Sequence, residues 1–271
     1  MLLNIHHASV FNFSAPMRYV VQSHRLMPAS FEGQRILDWN VEVENAEFSN
    51  YYVDGAGDQI RTMSCEGPLD SLTVTIRGSV ELTDTKGVLR GYQETIPPLA
   101  YLRDTPFTKP DQAIKDLVDA TLKTADGTSL DIAHKMSAAV TTAVAYKSGT
   151  TESNTTAAEA LAQGQGVCQD HAHVLIAMAR SAELPARYVS GYLNTSADVN
   201  TEEASHAWAE IFIEGLGWIG FDASNECCPD ENYVRLGSGL DALYAAPIRG
   251  MTIGTGVEEL DVTVAVSARQ Q

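Results

Sequence analysis

Cys168 stands in the stretch Gly164–Gln165–Gly166–Val167–Cys168–Gln169–Asp170–His171, directly ahead of the almost wholly apolar run 174–179. A thiol at the first turn of a buried helix meets the positive end of the helix dipole. It also meets backbone N–H groups without an intrahelical acceptor, and both favour the thiolate, which is the nucleophilic form. His206 follows in Ser205–His206–Ala207–Trp208, and Asp222 closes Gly217–Trp218–Ile219–Gly220–Phe221–Asp222. A nucleophile, a base and an orienting carboxylate in that order suit attack on a carbonyl carbon, with the imidazole carrying the proton. The backbone N–H of Cys168 is then one oxyanion donor. Gln163, Gln165 and Asn154 are candidates for the second, and the sequence does not choose among them.

This chemistry requires His206 and Asp222 to share one face of a sheet. Side chains alternate along a strand, so the turn between the two strands decides. An even-residue turn joining Ile213 to Trp218 sets Asp222 opposite Ala209 and places the two side chains on opposite faces. A three-residue loop of Ile213, Glu214 and Gly215, with glycine in the left-handed third position, pairs Phe212 with Leu216 instead. His206 then lies directly opposite Asp222, with Cβ atoms about 4.5–5.5 Å apart. The sequence therefore predicts an odd-length turn, or an equivalent bulge, between these strands.

The elements that must hold these residues follow from the hydrophobic pattern. Leu72, Val74 and Ile76 alternate with Thr73, Thr75 and Arg77, and Val41 and Val43 alternate with Glu42 and Glu44. Turn signals at Asp54–Gly55, Gly57–Asp58, Glu66–Gly67–Pro68 and Lys86–Gly87 separate several short strands, a sandwich-like pattern. The prolines between Ile96 and Pro110 mark a boundary, giving an N-terminal β domain over 1–97 and a catalytic domain over 98–271. Past it, Ile114, Leu117, Val118 and Thr121 share a helix face behind an Asp111 cap, and a second helix is expected from Asp131. Thr156–Ala157–Ala158–Glu159 is a capping-box pattern for a short helix stopped by Gly164. The Cys168 helix should run to about Ala182, before Pro185. Strands are expected over 186–193, 206–213 and 218–222, with one more in the tail over 260–266. The whole reads as α+β: a β domain, then helices packed on an antiparallel sheet.

The chain has 271 residues, 44% of them hydrophobic, enough for a sizeable core. Its net charge of −17 would be repelled by a duplex or an anionic lipid surface, so neither nucleic acid nor membrane is an expected partner. No run of about 18 apolar residues suggests a transmembrane helix. The start has neither a basic segment nor an apolar run of signal-peptide type. Cys65, Cys168, Cys227 and Cys228 are few for this length, and the last two are neighbours that are awkward to bridge. A reduced, cytoplasmic protein is expected. Cys168, His171 and His173 lack a fourth ligand at a usual spacing, and there is no EF-hand pattern, so no metal or cofactor is expected.

The blocks Gly166–Val167–Cys168–Gln169–Asp170, His206–Ala207–Trp208 and Gly217–Trp218–Ile219–Gly220–Phe221–Asp222 resemble the core of the transglutaminase-like superfamily. More narrowly, the chain is similar to bacterial transglutaminase-like cysteine peptidases that carry an added N-terminal β domain. His24–Arg25–Leu26–Met27–Pro28 and Tyr52–Val53–Asp54–Gly55–Ala56–Gly57 resemble that domain. Tyr233–Gly239 and Ala246–Pro247–Ile248–Arg249–Gly250 resemble the region after the aspartate. Ser205 and His171 depart from the usual pattern. The resemblance implies a papain-like core with Cys168 as nucleophile, His206 as base and Asp222 as orienter, acting at a carboxamide or peptide carbonyl through a thioester.

Water resolving the thioester makes a hydrolase of peptide or amide bonds, with a peptide or protein as substrate. An amine resolving it makes a protein-glutamine acyltransferase, and a non-catalytic binding module is the third reading. The intact cysteine, histidine and aspartate favour an enzyme.

Overall fold

The structure is a computed structural model that describes residues 1–195 and 205–268. Its first half is built on β1 (Leu2–His24), β2 (Gln34–Val43), the short β3 (Glu47–Phe48) and β4 (Tyr52–Val53), and β5 (Gln59–Leu82). β1 and β5 pair antiparallel along most of their length. The strands are thus longer than the turn signals suggested. Glu66–Gly67–Pro68 lies inside β5, where the register with β1 shifts between Asn12 and Tyr19. There Gly67 passes Met17 so closely that a Cβ would lie 2.0 Å from the Met17 carbonyl oxygen. The shift bends the sheet over on itself, and Phe11, Val20, Met63 and Val74 from its two halves form one buried cluster. This is the sandwich-like unit expected from the alternation of apolar residues.

The second half begins after a 3-10 turn over Pro98–Leu102. It holds α1 (Gln112–Leu122), α2 (Ser129–Ala143), β6 (Ala145–Tyr146), α3 (Ala157–Gln163), β7 (Gln165–Gly166) and α4 (Cys168–Ser181). β8 (Ala186–Leu193), β9 (Ser205–Ile213), β10 (Gly217–Phe221) and β11 (Tyr233–Gly239) form an antiparallel sheet in the order β10-β9-β8-β11. Asp111 caps α1, its carboxylate accepting from Ile114 N at 2.9 Å. α2 starts two residues before the expected Asp131, because Thr128 supplies the cap to Asp131 N at 3.2 Å. Thr156 and Glu159 form both halves of the capping box, and Gly164 closes α3 in the left-handed conformation at φ 64°. β11 was not read as a strand from the sequence.

Helix α4 is the centre of the second half. Residues 170–180 are all buried, packed against α2, α3 and the Ala207, Ala209 and Ile211 face of β9. Its C-terminal end sits at the start of β8, where Arg180 donates to the Ala186 carbonyl at 2.9 Å. β8 and β9 run antiparallel with Ala186 opposite Ile211 and Gly191 opposite His206. The N-terminal end of α4, with Cys168, therefore lies over the His206 end of the sheet.

The chain closes with β12 (Ile248–Ile253) and β13 (Glu258–Ala268), which pair with β1 at Tyr19–His24 and Leu3–Phe13. The tail thus completes the N-terminal sheet and not the sheet behind α4.

Buried charges cross the seam between the two sheets. Arg187 and Glu210 are directly opposed on β8 and β9, and Glu210 Oε2 accepts from Arg187 Nε at 2.6 Å. Glu210 Oε1 accepts from Arg235 Nε on β11 at 2.8 Å, and Arg187 Nη1 donates to Glu94 at 2.5 Å. Asp58, at the β5 start, accepts from Ser238 N and from the Tyr92 hydroxyl, each at 2.8 Å. The side chain of Gln34 bonds both the N–H and the carbonyl of Arg235 at 2.8 Å. Arg187 and Arg235 need Glu210 as counter-charge, since an unpaired cation in this environment is costly. Glu210→Ala is therefore expected to destabilise the protein by roughly 3–5 kcal/mol in urea unfolding followed by circular dichroism. A change under about 1 kcal/mol would show that the network does not hold the seam.

Candidate active site

The connection between β9 and β10 is a three-residue loop, Glu214–Gly215–Leu216, with Ile213 paired to Gly217 and Phe212 to Trp218. The odd length matches expectation, but the loop is shifted by one residue. Gly215 sits in its middle at φ 82° and Gly217 follows at φ 86°. Continued past Phe221, this register sets Asp222 opposite Trp208, diagonal to His206 and on the same face. The expected directly opposed pair is thus a diagonal one. The side chains span the difference: His206 Nε2 lies 2.6 Å from Asp222 Oδ2.

Asp222 sits just beyond β10 in a backbone bridge to Cys227, and its side chain is saturated with donors. Oδ1 accepts from Ser224 N at 3.0 Å, Ser224 Oγ at 2.6 Å and Asn225 N at 3.2 Å, an Asx-type turn. Oδ2 accepts from Asn225 Nδ2 at 2.7 Å and from the Tyr233 hydroxyl at 2.8 Å, besides His206. Burial opposes the ionised carboxyl, but hydrogen bonds from His206, Ser224 and Asn225 hold it well below the usual carboxylate range. Ser224, Asn225 and Tyr233 were missed from the sequence. The run Asp222–Ala223–Ser224–Asn225 at a strand end carries the signal of an Asx turn, whereas Tyr233 is reached only through tertiary packing.

With Nε2 committed to Asp222, Nδ1 is the ring nitrogen left open, and Cys168, at the head of α4, lies near enough to the ring to raise its proton affinity. Burial works against a charged imidazole. The Asp222 carboxylate, bonded to the ring, and the nearby Cys168 side chain nevertheless push it up to about 10. Trp208 stacks on the ring at a centroid distance of 6.4 Å and Tyr233 meets it edge-on at 5.8 Å. Gly191, opposite His206, makes room for this wall, since a Cβ there would lie 2.7 Å from the Trp208 ring.

The start of α4 is fixed from behind. Val167 has no side-chain acceptor, so Asp170 makes the reciprocal bond alone, accepting from Val167 N at 2.8 Å and from Thr151 Oγ1 at 2.6 Å. Any side chain at Gly166 would strike Asp170, its Cβ falling 2.7 Å from the Asp170 Cβ. His171 ties two elements together through the Val167 carbonyl at 2.9 Å and the Val144 carbonyl, just past α2, at 2.8 Å. His173 is fully buried and accepts from Ala242 N at 3.1 Å, a hydrogen-bonding role in the core.

The candidates for the second oxyanion donor are not brought together. Asn154 and Gln163 line a polar hollow whose described walls do not include Cys168. Gln165 lies on β7, which runs into Cys168. Cys227 lies 3.2 Å from the Tyr233 hydroxyl, while Cys65 is buried in the N-terminal sheet.

Residues 110–223 match the transglutaminase-like superfamily, and residues 3–81 match the bacterial transglutaminase-like N-terminal region. The chain therefore carries a transglutaminase-like core preceded by a bacterial transglutaminase-like N-terminal region. It is 29% identical to an uncharacterized protein of Mycobacterium leprae across 98% of both chains. An uncharacterized protein of Mycobacterium tuberculosis is 33% identical over 51% of this chain and 46% of its own. In fold it is similar to a candidate cysteine protease from Cytophaga hutchinsonii, with a TM-score of 0.76 and 22% identity, over 100% of this chain and 92% of that one. No described helix is long and apolar enough to cross a membrane.

The pKa directions fix how stability should depend on pH. The folded state binds the His206 proton more tightly than the ordinary value of 6.5, so this stabilisation is complete below pH 6.5 and is lost as pH rises through about 10. Asp222 is depressed, so its contribution is present above 3.8 and is lost as pH falls through its lowered value. The difference in Tm between the wild type and His206→Gln should be largest between pH 3.8 and 6.5 and shrink toward pH 10. A difference that grows with pH would contradict the assignment.

Proposed function

We propose that the protein is a cysteine-dependent hydrolase that cleaves peptide or amide bonds through a thioester, with Cys168 as nucleophile, His206 as base and Asp222 as orienter. The observation that carries this reading is the His206 ring, hydrogen-bonded to the Asp222 carboxylate at 2.6 Å and close to Cys168 at the head of α4. Cys168 is the first residue of α4, so its N–H has no intrahelical acceptor and can receive an oxyanion. Gln165 remains the candidate for the second donor, because it lies on β7, three residues before Cys168.

In the first half-reaction Cys168 Sγ bonds to the carbonyl carbon, and the tetrahedral oxyanion rests on the Cys168 N–H. His206, holding the proton, gives it to the leaving amine as the carbon–nitrogen bond breaks. In the second, His206 takes a proton from water, the hydroxide adds to the thioester, and the thiolate leaves. Asp222 keeps the ring oriented and offsets its charge throughout. The substrate is then a peptide or protein, and nucleic acid and membrane surfaces take no part. A cytoplasmic setting belongs to this reading, as it would keep Cys168 and the neighbouring Cys227–Cys228 pair reduced.

Cys168→Ala is expected to reduce turnover to background. Asp222→Ala should leave weak residual activity, roughly 10⁴-fold down in kcat, measured as release of new amino termini from casein. The fate of the thioester is read by following ammonia release from a glutamine-containing peptide with and without methylamine. Product without the amine supports the hydrolase. Product only in its presence would make the protein an acyltransferase.

A further inference from the structure

The bent N-terminal sheet has an interior that is not wholly apolar. Along β1 the inward positions include His7 and Ser9 in one half and Gln22 and His24 in the other, all nearly inaccessible. They pair among themselves and with the second sheet. His7 Nε2 lies 2.8 Å from Ser9 Oγ, His7 Nδ1 lies 2.8 Å from the Tyr192 hydroxyl, and His24 Nε2 lies 2.9 Å from Gln22 Oε1. The Gln22 amide nitrogen has no partner among the described residues, and Gln22 lines a cavity of about 360 Å³.

This cavity is the part of the sandwich that its own side chains leave unfilled. Leu260 and Val262 on β13 are register partners of Phe11 and Ser9, so they project to the inner face. Yet they are 50% and 38% exposed, while Val264, next along the same face, is 1% exposed. Phe11, Val20 and Ile248 complete the apolar walls. Gly250 keeps the floor open, since a Cβ there would lie 2.8 Å from Gln22 Cγ. Two of the sequence segments that the triad leaves unused, His24–Pro28 and Ala246–Gly250, meet at this place. His24 pairs with Ile248, and Arg25 N donates to the Pro247 carbonyl at 2.7 Å.

The charges restrict the occupant. Among the described residues Glu258 is the acidic group in the wall, and no described Lys or Arg lines the cavity. Burial, aided by His6 beside His7 and by the Arg61 guanidinium beside His24, holds both rings down to about 4, so neither offers a cation at neutral pH. A carboxylate or phosphate would meet Glu258 without a counter-charge. The volume lies at the lower end of the range for small-molecule sites.

We propose that this cavity binds a small uncharged amphiphile, its apolar body against Phe11, Val20 and Leu260 and its one carbonyl oxygen accepting from the Gln22 amide. Ser205, the neighbour of His206, also lines the cavity, so the site adjoins the β9 end that carries the proposed base without sharing its residues.

The test is a titration of the full chain with the uncharged fluorophore N-phenyl-1-naphthylamine, followed by competition. The expected result is one saturable site from which octanamide displaces the fluorophore at a concentration at least about tenfold below octanoate. Leu260→Asp, with an unchanged circular dichroism spectrum, should weaken the fluorophore at least about tenfold. Gln22→Leu should keep the fluorophore but weaken octanamide, and Cys168→Ala should change neither. The proposal is overturned by the absence of saturable binding or by equal displacement with octanoate. Unaltered binding in both Leu260→Asp and Gln22→Leu would overturn it as well.

Discussion

The three-residue loop Glu214–Leu216 sets the parity between β9 and β10, and the His206–Asp222 hydrogen bond exists only for that parity. One residue more or fewer would turn Asp222 to the α4 side of the sheet, among Ile219 and Phe221, and leave His206 facing only the Trp208 and Tyr233 rings. Two glycines at positive φ, Gly215 and Gly217, allow the tight odd-length connection. The same loop aligns Trp218 and Glu210 on the face that carries the buried charges. Site and seam thus share one register.

Parity alone leaves Asp222 free to rotate, and its other donors remove that freedom. Five hydrogen bonds besides that of His206 converge on its two oxygens. A carboxylate held this way stays ionised despite burial, which is what a neighbouring imidazolium needs. The cost of desolvating each charge is offset by the other, and the thiol completes the set from the helix end. The Tyr233 hydroxyl also connects the carboxylate to β11, so the dyad is braced from both edges of the sheet.

Local rules made much of this readable. The caps at Asp111, Thr156 and Gly164 and the bounds of α4 follow from side-chain chemistry within a few residues. The odd turn followed from parity, whereas its register did not, because a loop at 213–215 and one at 214–216 preserve the same faces. Tyr233 and the buried Arg187–Glu210–Arg235 group lay beyond reach, since their partners are 11 to 25 residues away in the chain and meet only in the folded sheet. The length of β1 and β5 was hidden for a different reason. Glycine and proline at 67 and 68 mark a turn in isolation, but inside a paired strand they mark a bend.

The placement of β12 and β13 joins the two halves more tightly than a linker can. After β11 the chain returns to β1, so the N-terminal sheet is completed by residues that come after the site in sequence. The core sheet cannot be separated from it without also withdrawing Gln34 from Arg235 and Asp58 from Ser238. Arg235, gripped through its backbone by the N-terminal sheet, holds Glu210 through its guanidinium, and Glu210 lies on β9 four residues from His206. Contacts between buried groups therefore run from the N-terminal sheet to the strand that carries His206. The two halves thus share one set of buried contacts that reaches β9, the strand on which His206 lies.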